Sequence, residues 1–298
     1  MIILKEISKN YKKKQALTNV SFQIKENEIV GLIGPNGAGK STILRIISEV
    51  NYASSGQMIK NEMISVGAVF DYNALYSQMS AFENLLFYYR LNKKPEKHDE
   101  RVVCDALEKL NLLNERDNKV KTFSKGMCRK LAIARAIIMN PNVLLLDEPF
   151  YGLDVQSHAY IVNYLKEWAK MSGHAIIFSS HNMLEVENIC TNIIILDKGK
   201  IKLDASLKEL KARQTERRKI VLSRHFPEKL VEKALDSIGI QTYEYAENEI
   251  LFNDVSIDGN KIWSEFTNMQ VEIKELLLVY ESLEDIYIRE IKQDEEFN

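Results

Sequence analysis

The chain has 298 residues, 45% of them hydrophobic and 28% charged, with 40 basic side chains against 42 acidic ones. That composition builds a core and excludes a wholly disordered chain. The net charge of −2 argues against a protein whose main business is neutralising nucleic-acid phosphates. Apolar stretches such as 143–146 and 193–196 fall far short of the roughly 17 to 25 residues of a membrane-spanning helix. The start Met1-Ile2-Ile3-Leu4-Lys5-Glu6 has neither the basic opening nor the long apolar run of a secretory signal. Cys104, Cys128 and Cys190 show no CxxC spacing, so reduced core thiols are expected, not a disulfide framework or zinc site.

In chain order, two short strands are expected at 2–5 and 17–24, flanking a polar turn at Lys12, Lys13 and Lys14. An apolar run over 28–33 stops at Gly34. After a glycine-rich loop, Ile43, Leu44, Ile46 and Ile47 mark a buried helix over 41–48. A helical, amphipathic region runs from Ser80 to about Asn118, broken at Pro95. The runs at 143–146 and 175–178 read as buried parallel strands, each following a helix pattern. Alternating strands and helices predict a mostly parallel sheet with helices on its faces. A solvated basic junction is expected around Arg213, Arg217, Arg218 and Lys219. Beyond it the pattern resets to a strand at 220–222, a helix at 229–238, strands near Gln241 and Ile250, a helix, a strand near Val271 and a last helix from Ser282. That is a small α+β domain. From Leu210 onward the chain carries 12 basic and 19 acidic side chains, a net −7, whereas the remainder has 28 and 23, a net +5. A mildly basic body with an acidic tail fits a protein that handles an anion in its larger part.

Two motifs carry the chemistry. Gly34-Pro35-Asn36-Gly37-Ala38-Gly39-Lys40-Ser41-Thr42 satisfies GxxxxGK[ST] and lies between an apolar run and a helix, the setting of a phosphate-binding loop. Its glycines let backbone N–H groups converge on phosphate oxygens, and the helix N-terminus adds partial positive charge. Lys40 supplies a point charge for β and γ phosphates, and the Ser41 hydroxyl suits Mg²⁺. The second motif is the apolar run at 143–146 followed by Asp147, Glu148 and Pro149. A carboxylate at a parallel strand's carboxyl end reaches a ligand there, which gives Asp147 to Mg²⁺. Glu148, one residue on, projects differently and is placed to polarise a water for attack on the γ-phosphate.

Between them, Phe123-Ser124-Lys125-Gly126-Met127 precedes Leu131, Ala134 and Ile138 at helical spacing. Here the sequence resembles the ATP-binding cassette (ABC) ATPases, whose signature is usually written LSGGQ. Ser124 and Gly126 are kept; Phe123, Lys125 and Met127 depart from the pattern. A serine in that place is equally a helix N-cap. The resemblance continues in order. Tyr11 falls where the family stacks an aromatic on adenine, Tyr151-Gly152-Leu153-Asp154 falls at its D-loop, and Ser179-Ser180-His181 places His181 at the switch histidine that senses γ-phosphate. The segment from Val66 to Leu85 resembles the Q-loop region, with Asp71 at the glutamine position, where a carboxylate still coordinates Mg²⁺.

The resemblance covers about residues 1–210. It implies an α/β P-loop NTPase of the ABC ATPase type over 1–210, with a helical subdomain at about 72–138, a linker at 211–218 and an accessory α+β domain at 219–298. It further implies an ATP-hydrolysing, transport-coupled subunit with ATP and Mg²⁺ as cofactors. Ser124, Gly126 and Asp154 would contact nucleotide held by a second ABC ATPase chain, in a homodimer or heterodimer. With no hydrophobic span, transport would need separate integral membrane permease subunits, and the chain would sit peripherally on the cytoplasmic face of the membrane. The aromatic-rich stretch 82–91 is either part of the docking cleft for those subunits or a core-facing stripe. The tail ending Ser282-Leu283-Glu284-Asp285-Ile286-Tyr287 resembles that of cassette proteins from bacterial drug, peptide and polysaccharide exporters and, with Ser-Lys-Gly-Met at 124–127, favours export or self-protection over nutrient uptake. The rival readings are a soluble cassette ATPase acting on ribosomes or nucleic acid, and a P-loop kinase. Against the first stand the single set of motifs and the acidic tail; the second leaves Ser124 and His181 unexplained.

Overall fold

The computed structural model describes residues 1–12, 14–70, 74–91, 95–213 and 216–292. They fall into two compact units, Met1–Lys208 and Glu209–Lys292.

In the first unit a six-stranded sheet runs in the order β5 (Val66–Val69), β6 (Val143–Asp147), β7 (Ala175–Ser180), β3 (Ile29–Ile33), β8 (Asn192–Asp197), β9 (Lys200–Ser206). All neighbours are parallel except β8 and β9. Strands β3 and β7 are buried along their whole length, the reason their sequences run apolar without alternation. A second, antiparallel sheet has the order β2 (Lys14–Ile24), β1 (Ile2–Tyr11), β4 (Ser55–Lys60). Ile2, Leu4, Val20, Phe22 and Ile24 from that sheet share one core with Ile43, Leu44 and Ile47 of α1 (Lys40–Ile47) and with Leu32, Leu145 and Ile177 of the parallel sheet. Each such side chain contributes about 1.5–3 kcal/mol, so the helix behind the glycine loop is held firmly between two sheets.

The remaining helices of this unit are α2 (Ala81–Leu91), α3 (Asp99–Lys109), α4 (Lys125–Ile137), α5 (Val155–Ala169) and α6 (Met183–Ile189), and α7 (Leu207–Arg213) runs across the boundary into the second unit. The amphipathic stretch is two helices with Pro95 between them. The Arg90 guanidinium and the Asp99 carboxylate, 2.8 Å apart, tie α2 to α3. Strands β1 and β2 are longer than their apolar patterns indicate. Tyr11 pairs with Lys14 across the hairpin, so Lys14 opens β2 and does not belong to the turn. The three cysteines are free and, as whole residues, half-buried. Burial pushes the Cys190 thiol well above its usual range.

The second unit reads β10 (Glu216–Leu222), α8 (Glu228–Ile238), β11 (Glu244–Ala246), β12 (Glu249–Phe252), α9 (Gly259–Asn268), β13 (Ile273–Tyr280), α10 (Leu283–Lys292). Its antiparallel sheet has the order β11-β12-β10-β13, the split βαβ arrangement. Ile220, Leu222, Ile250 and Phe252 pack with Val231 and Leu235 of α8 and Ile262 and Phe266 of α9. Helix α10 begins on a reciprocal cap: Ser282 N donates to Asp285 Oδ2 at 2.8 Å and Asp285 N to Ser282 Oγ at 3.1 Å. One expectation is corrected. The residues assigned to a junction at 211–218 are helical as far as Arg213 and in β10 from Glu216. Arg217, Arg218 and Lys219 are only part-exposed because neighbours in the fold engage them, although the Arg218 Nε stays buried without a hydrogen-bond partner. Arg218 donates to the Val255 carbonyl at 3.0 Å, and Lys219 lies 2.6 Å from Glu249.

Candidate active site: the glycine loop and the acidic strand end

Strand β3 stops at Ile33 and α1 starts at Lys40, so the glycine loop spans only 34–39. Gly39 has φ of 113°, and a Cβ on it would stand 2.6 Å from Leu17 Cδ2; only glycine fits there. Lys40, 7% exposed, folds back so that Nζ donates to the carbonyls of Gly34 (2.6 Å) and Pro35 (3.2 Å). Burial lowers its pKa, while the carboxylates of Glu148 and Asp147 act in the opposite direction. A cleft of about 320 Å³ opens on this loop, and Tyr11, Asn36 to Thr42, Asp147 and Glu148 line it. Gly34 and Pro35 serve it from behind, through Lys40. The Tyr11 hydroxyl accepts from Asn51 Nδ2 at 2.8 Å and Lys9 Nζ lies 5.1 Å from its ring centroid, which fixes the ring at the cleft's rim.

At the end of β6 the backbone turns sharply. Glu148 has φ of 49°, a left-handed conformation that costs a non-glycine residue about 1–3 kcal/mol. Ser179 of β7, paired with Asp147 in the sheet, holds the turn: its Oγ accepts from Glu148 N at 2.9 Å and donates to Asp147 Oδ1 at 2.5 Å. The two carboxylates are thereby splayed. The Glu148 carboxylate lies 3.0 Å from His181 Nδ1 and lines both the first cleft and a second of about 390 Å³ that His181, Tyr151 and His158 also border.

Ser41 and Asp147 offer oxygen donors to one cleft, and among the described residues no group of three or more His, Cys, Asp or Glu is placed to hold a metal. Such a set suits a hard divalent cation that keeps water and phosphate oxygens as its other ligands; it cannot form an all-protein cage. Asp71 lies outside the described residues.

Ser124 and Gly126 stand apart from this cleft. Ser124 caps α4, its Oγ accepting from Met127 N at 3.2 Å. Asp154 caps α5 by accepting from Ser157 N at 2.8 Å, and Ser157 hydrogen bonds hold its carboxyl below the usual range. A Cβ on Gly126 would stand 2.7 Å from Ser157 Oγ and 3.3 Å from Asp154 Oδ2. Glycine there lets the two helix N-termini meet. Two residues of this machinery have roles that the sequence reading does not give. Ser179 is visible only through strand pairing. Arg129, on α4 and 2% exposed, donates to the Tyr151 carbonyl at 3.3 Å, tying the signature helix to the loop after Glu148.

A phosphate-binding loop facing an acidic strand end, with a histidine on the second carboxylate, defines a P-loop ATPase. Residues 17–151 match the family model described as ABC transporter. The uncharacterized ABC transporter ATP-binding protein YcbN of Bacillus subtilis (strain 168) is 30% identical over 95% of this chain and 94% of its own length. The linearmycin resistance ATP-binding protein LnrL of the same organism is 35% identical over 67% of this chain and 68% of its own. The methionine import ATP-binding protein MetN 1 of Staphylococcus aureus (strain USA300) is 32% identical over 70% and 67%. Among solved structures, the ATP-binding cassette MJ0796 in a dimeric post-hydrolysis state with ADP and Pi superposes with a TM-score of 0.65 at 26% identity, covering 70% of this chain and 99% of that one. The chain belongs to the ATP-binding subunits of ABC transporters, and its fold is that of the ABC ATPase cassette.

Proposed function

We propose that this chain powers export, of a drug, antimicrobial peptide or similar compound, through separate integral membrane permease subunits, as a peripheral subunit on the cytoplasmic face of the membrane. The observation that carries the ATPase part of the reading is the convergence of Lys40, Ser41, Asp147 and Glu148 on one cleft. Lys40 exchanges its carbonyl partners for β and γ phosphate oxygens, and Tyr11 stacks on the adenine. Ser41 and Asp147 would hold Mg²⁺, which would neutralise phosphate charge when bound. Glu148 takes the proton of the attacking water, while His181 orients the Glu148 carboxylate and senses the γ-phosphate. Ser124, Gly126 and Asp154 lie at adjoining helix N-termini, and a second ABC ATPase chain would bring the same residues over this nucleotide. Closure excludes water from the site.

The docking reading draws on α2. Leu85 and Tyr89 face the core, whereas Phe87 (38% exposed) and Leu91 (60%) do not, and they border a groove of about 380 Å³ with Met79, Glu83, Leu86 and Arg90. The buried face of the 82–91 helix fits the core-facing reading, and its exposed face is what supports the docking reading. CbiO1 of Clostridium perfringens, 29% identical with a TM-score of 0.65 over 71% of this chain and 90% of that one, is described as part of the transporter complex cbiONQ. The export direction is favoured by the resistance protein LnrL and by the tail; MetN 1 stands for the opposite direction.

Calorimetry with MgATP tests the first half: wild type binds and Lys40→Ala loses about 10- to 150-fold in affinity, the worth of a charge-assisted contact of roughly 1.5–3 kcal/mol. Equal binding by the two removes Lys40 from the site. Affinity capture from membranes tests the second half: recovery of a multi-span protein supports it, and recovery of ribosomes overturns it.

A further inference from the structure

We propose that the outer edge of β13 is a self-association surface, where two copies of this chain pair their β13 strands antiparallel about a two-fold axis and merge two four-stranded sheets into one of eight.

The two edges of the second unit's sheet differ in kind. At one edge β11 is three residues long and flanked by acids, Glu244 within it and Glu247 and Glu249 beyond. A short, charged strand is how sheets protect an edge from pairing. At the other edge β13 has eight residues, Ile273–Tyr280, and among the described residues β10 is its only strand partner. Its run Leu276-Leu277-Leu278-Val279-Tyr280 has neither proline nor charge. The one irregularity of its ladder lies at the far end, between Val221 and Leu222, where Glu275 and Ile273 are the partners, so the stretch from Glu275 to Tyr280 runs without a bulge. Leu277 is 41%, Leu278 58% and Tyr280 59% exposed. Neighbours along a strand point to opposite faces, so apolar surface is presented on both sides of this edge.

The strand's own pattern selects a second copy as the occupant. A two-fold axis normal to the sheet keeps the helices of both copies on one face and opposes residues that share a face, so it passes through a residue and not between two. Centred on Leu277, it sets Leu277 against its own copy, Leu276 against Leu278, and Glu275 against Val279. Val279 is the β13 neighbour of Arg217. In that register Glu275 of one copy therefore enters the same cross-strand row as Arg217 of the other, with only valine between them. Within one chain Glu275 meets Lys274 only at 4.0 Å, and Arg217, whose Nε donates to the neutral Asn253 Oδ1 at 2.9 Å, reaches a carboxylate, Glu244, only at 3.9 Å, so neither closes a tight ion pair within its own chain. The apolar centre pairs with itself and the charged flanks are complementary, as an isologous contact requires.

Sedimentation of the full-length chain without nucleotide tests this, because the cassette reading needs ATP for its own dimer. A nucleotide-free dimer is expected, with Leu278→Lys weakening it at least tenfold and leaving ATP binding unchanged. Leu277→Cys should form, under mild oxidation, a disulfide mapped to that position in both chains, while the half-buried natural cysteines do not cross-link. A wild-type monomer without ATP overturns the proposal, whether or not ATP then produces a dimer or membrane extracts supply another partner. So does a dimer that resists Leu278→Lys and gives no cross-link at 277.

Discussion

The two units spend their sequence differently. In the first, strained backbone and a buried charge meet at one cleft: Gly39 and Glu148 at positive φ, Lys40 buried with a lowered pKa, two carboxylates splayed by one serine. In the second, the core of β10, β12, α8 and α9 is regular and the anomaly is an apolar edge strand on the surface. Strain and desolvation are what a site needs to act on a bound anion. An exposed edge acts only by meeting another molecule. Chemistry belongs to the first unit, the contact proposed for β13 would belong to the second, and each contrast can be broken by substitution.

The largest effect should come from Glu148→Gln. Removing the base while keeping the shape lowers kcat about 10²- to 10⁴-fold, with ATP affinity and the thermal midpoint kept. A variant that turns over at the wild-type rate would deny Glu148 its role. The counterpart in the second unit is Phe266→Ala. Phe266 is fully buried, and its truncation should destabilise that unit by about 3–5 kcal/mol, seen in a denaturant titration. ATP binding should not change; if it does, the two units are energetically coupled.

Ser179→Ala is smaller and probes both properties at once. It leaves the Glu148 N–H without its partner, at a cost of about 1–3 kcal/mol, and frees Asp147. Stability and kcat should fall together, whereas Ser179→Thr, which keeps the hydroxyl, should recover both. A stability loss with unchanged kcat would mean that the serine only supports the turn.

How much of this was legible in the sequence follows from the same contrast. The glycine loop, Lys40 and the pair Asp147 and Glu148 are contiguous, so spacing alone exposes them, and the apolar runs of β3, β6 and β7 announce a parallel sheet. Ser179 and Arg129 are not legible, because their partners, Asp147 and Tyr151, lie 32 and 22 positions away and only folding brings them together. The run Arg217-Arg218-Lys219 misled for the opposite reason. Three adjacent cations look solvated, yet Asn253, Val255 and Glu249 stand ready to receive them. A strand is expected near Val271 because the apolar pattern starts there, whereas the ladder starts two residues on, at Ile273.

The smallest effect is also the one with the clearest sign. Burial makes the Lys40 ammonium costly, so its folded pKa lies below its unfolded value. Between those two values the unfolded chain holds the extra proton, and stability without nucleotide rises as pH climbs through that window. ATP binding demands the opposite state, because phosphate oxygens favour the ammonium. Affinity should therefore fall over the same window, and binding there should take up a proton. Thermal midpoints measured across alkaline pH would converge with and without MgATP, the free protein gaining as the complex loses its advantage. Lys40→Met should abolish both trends, since a thioether fills the space without titrating. Parallel midpoint curves for the wild type would mean that Lys40 stays charged throughout, and that its two carbonyl partners outweigh its burial.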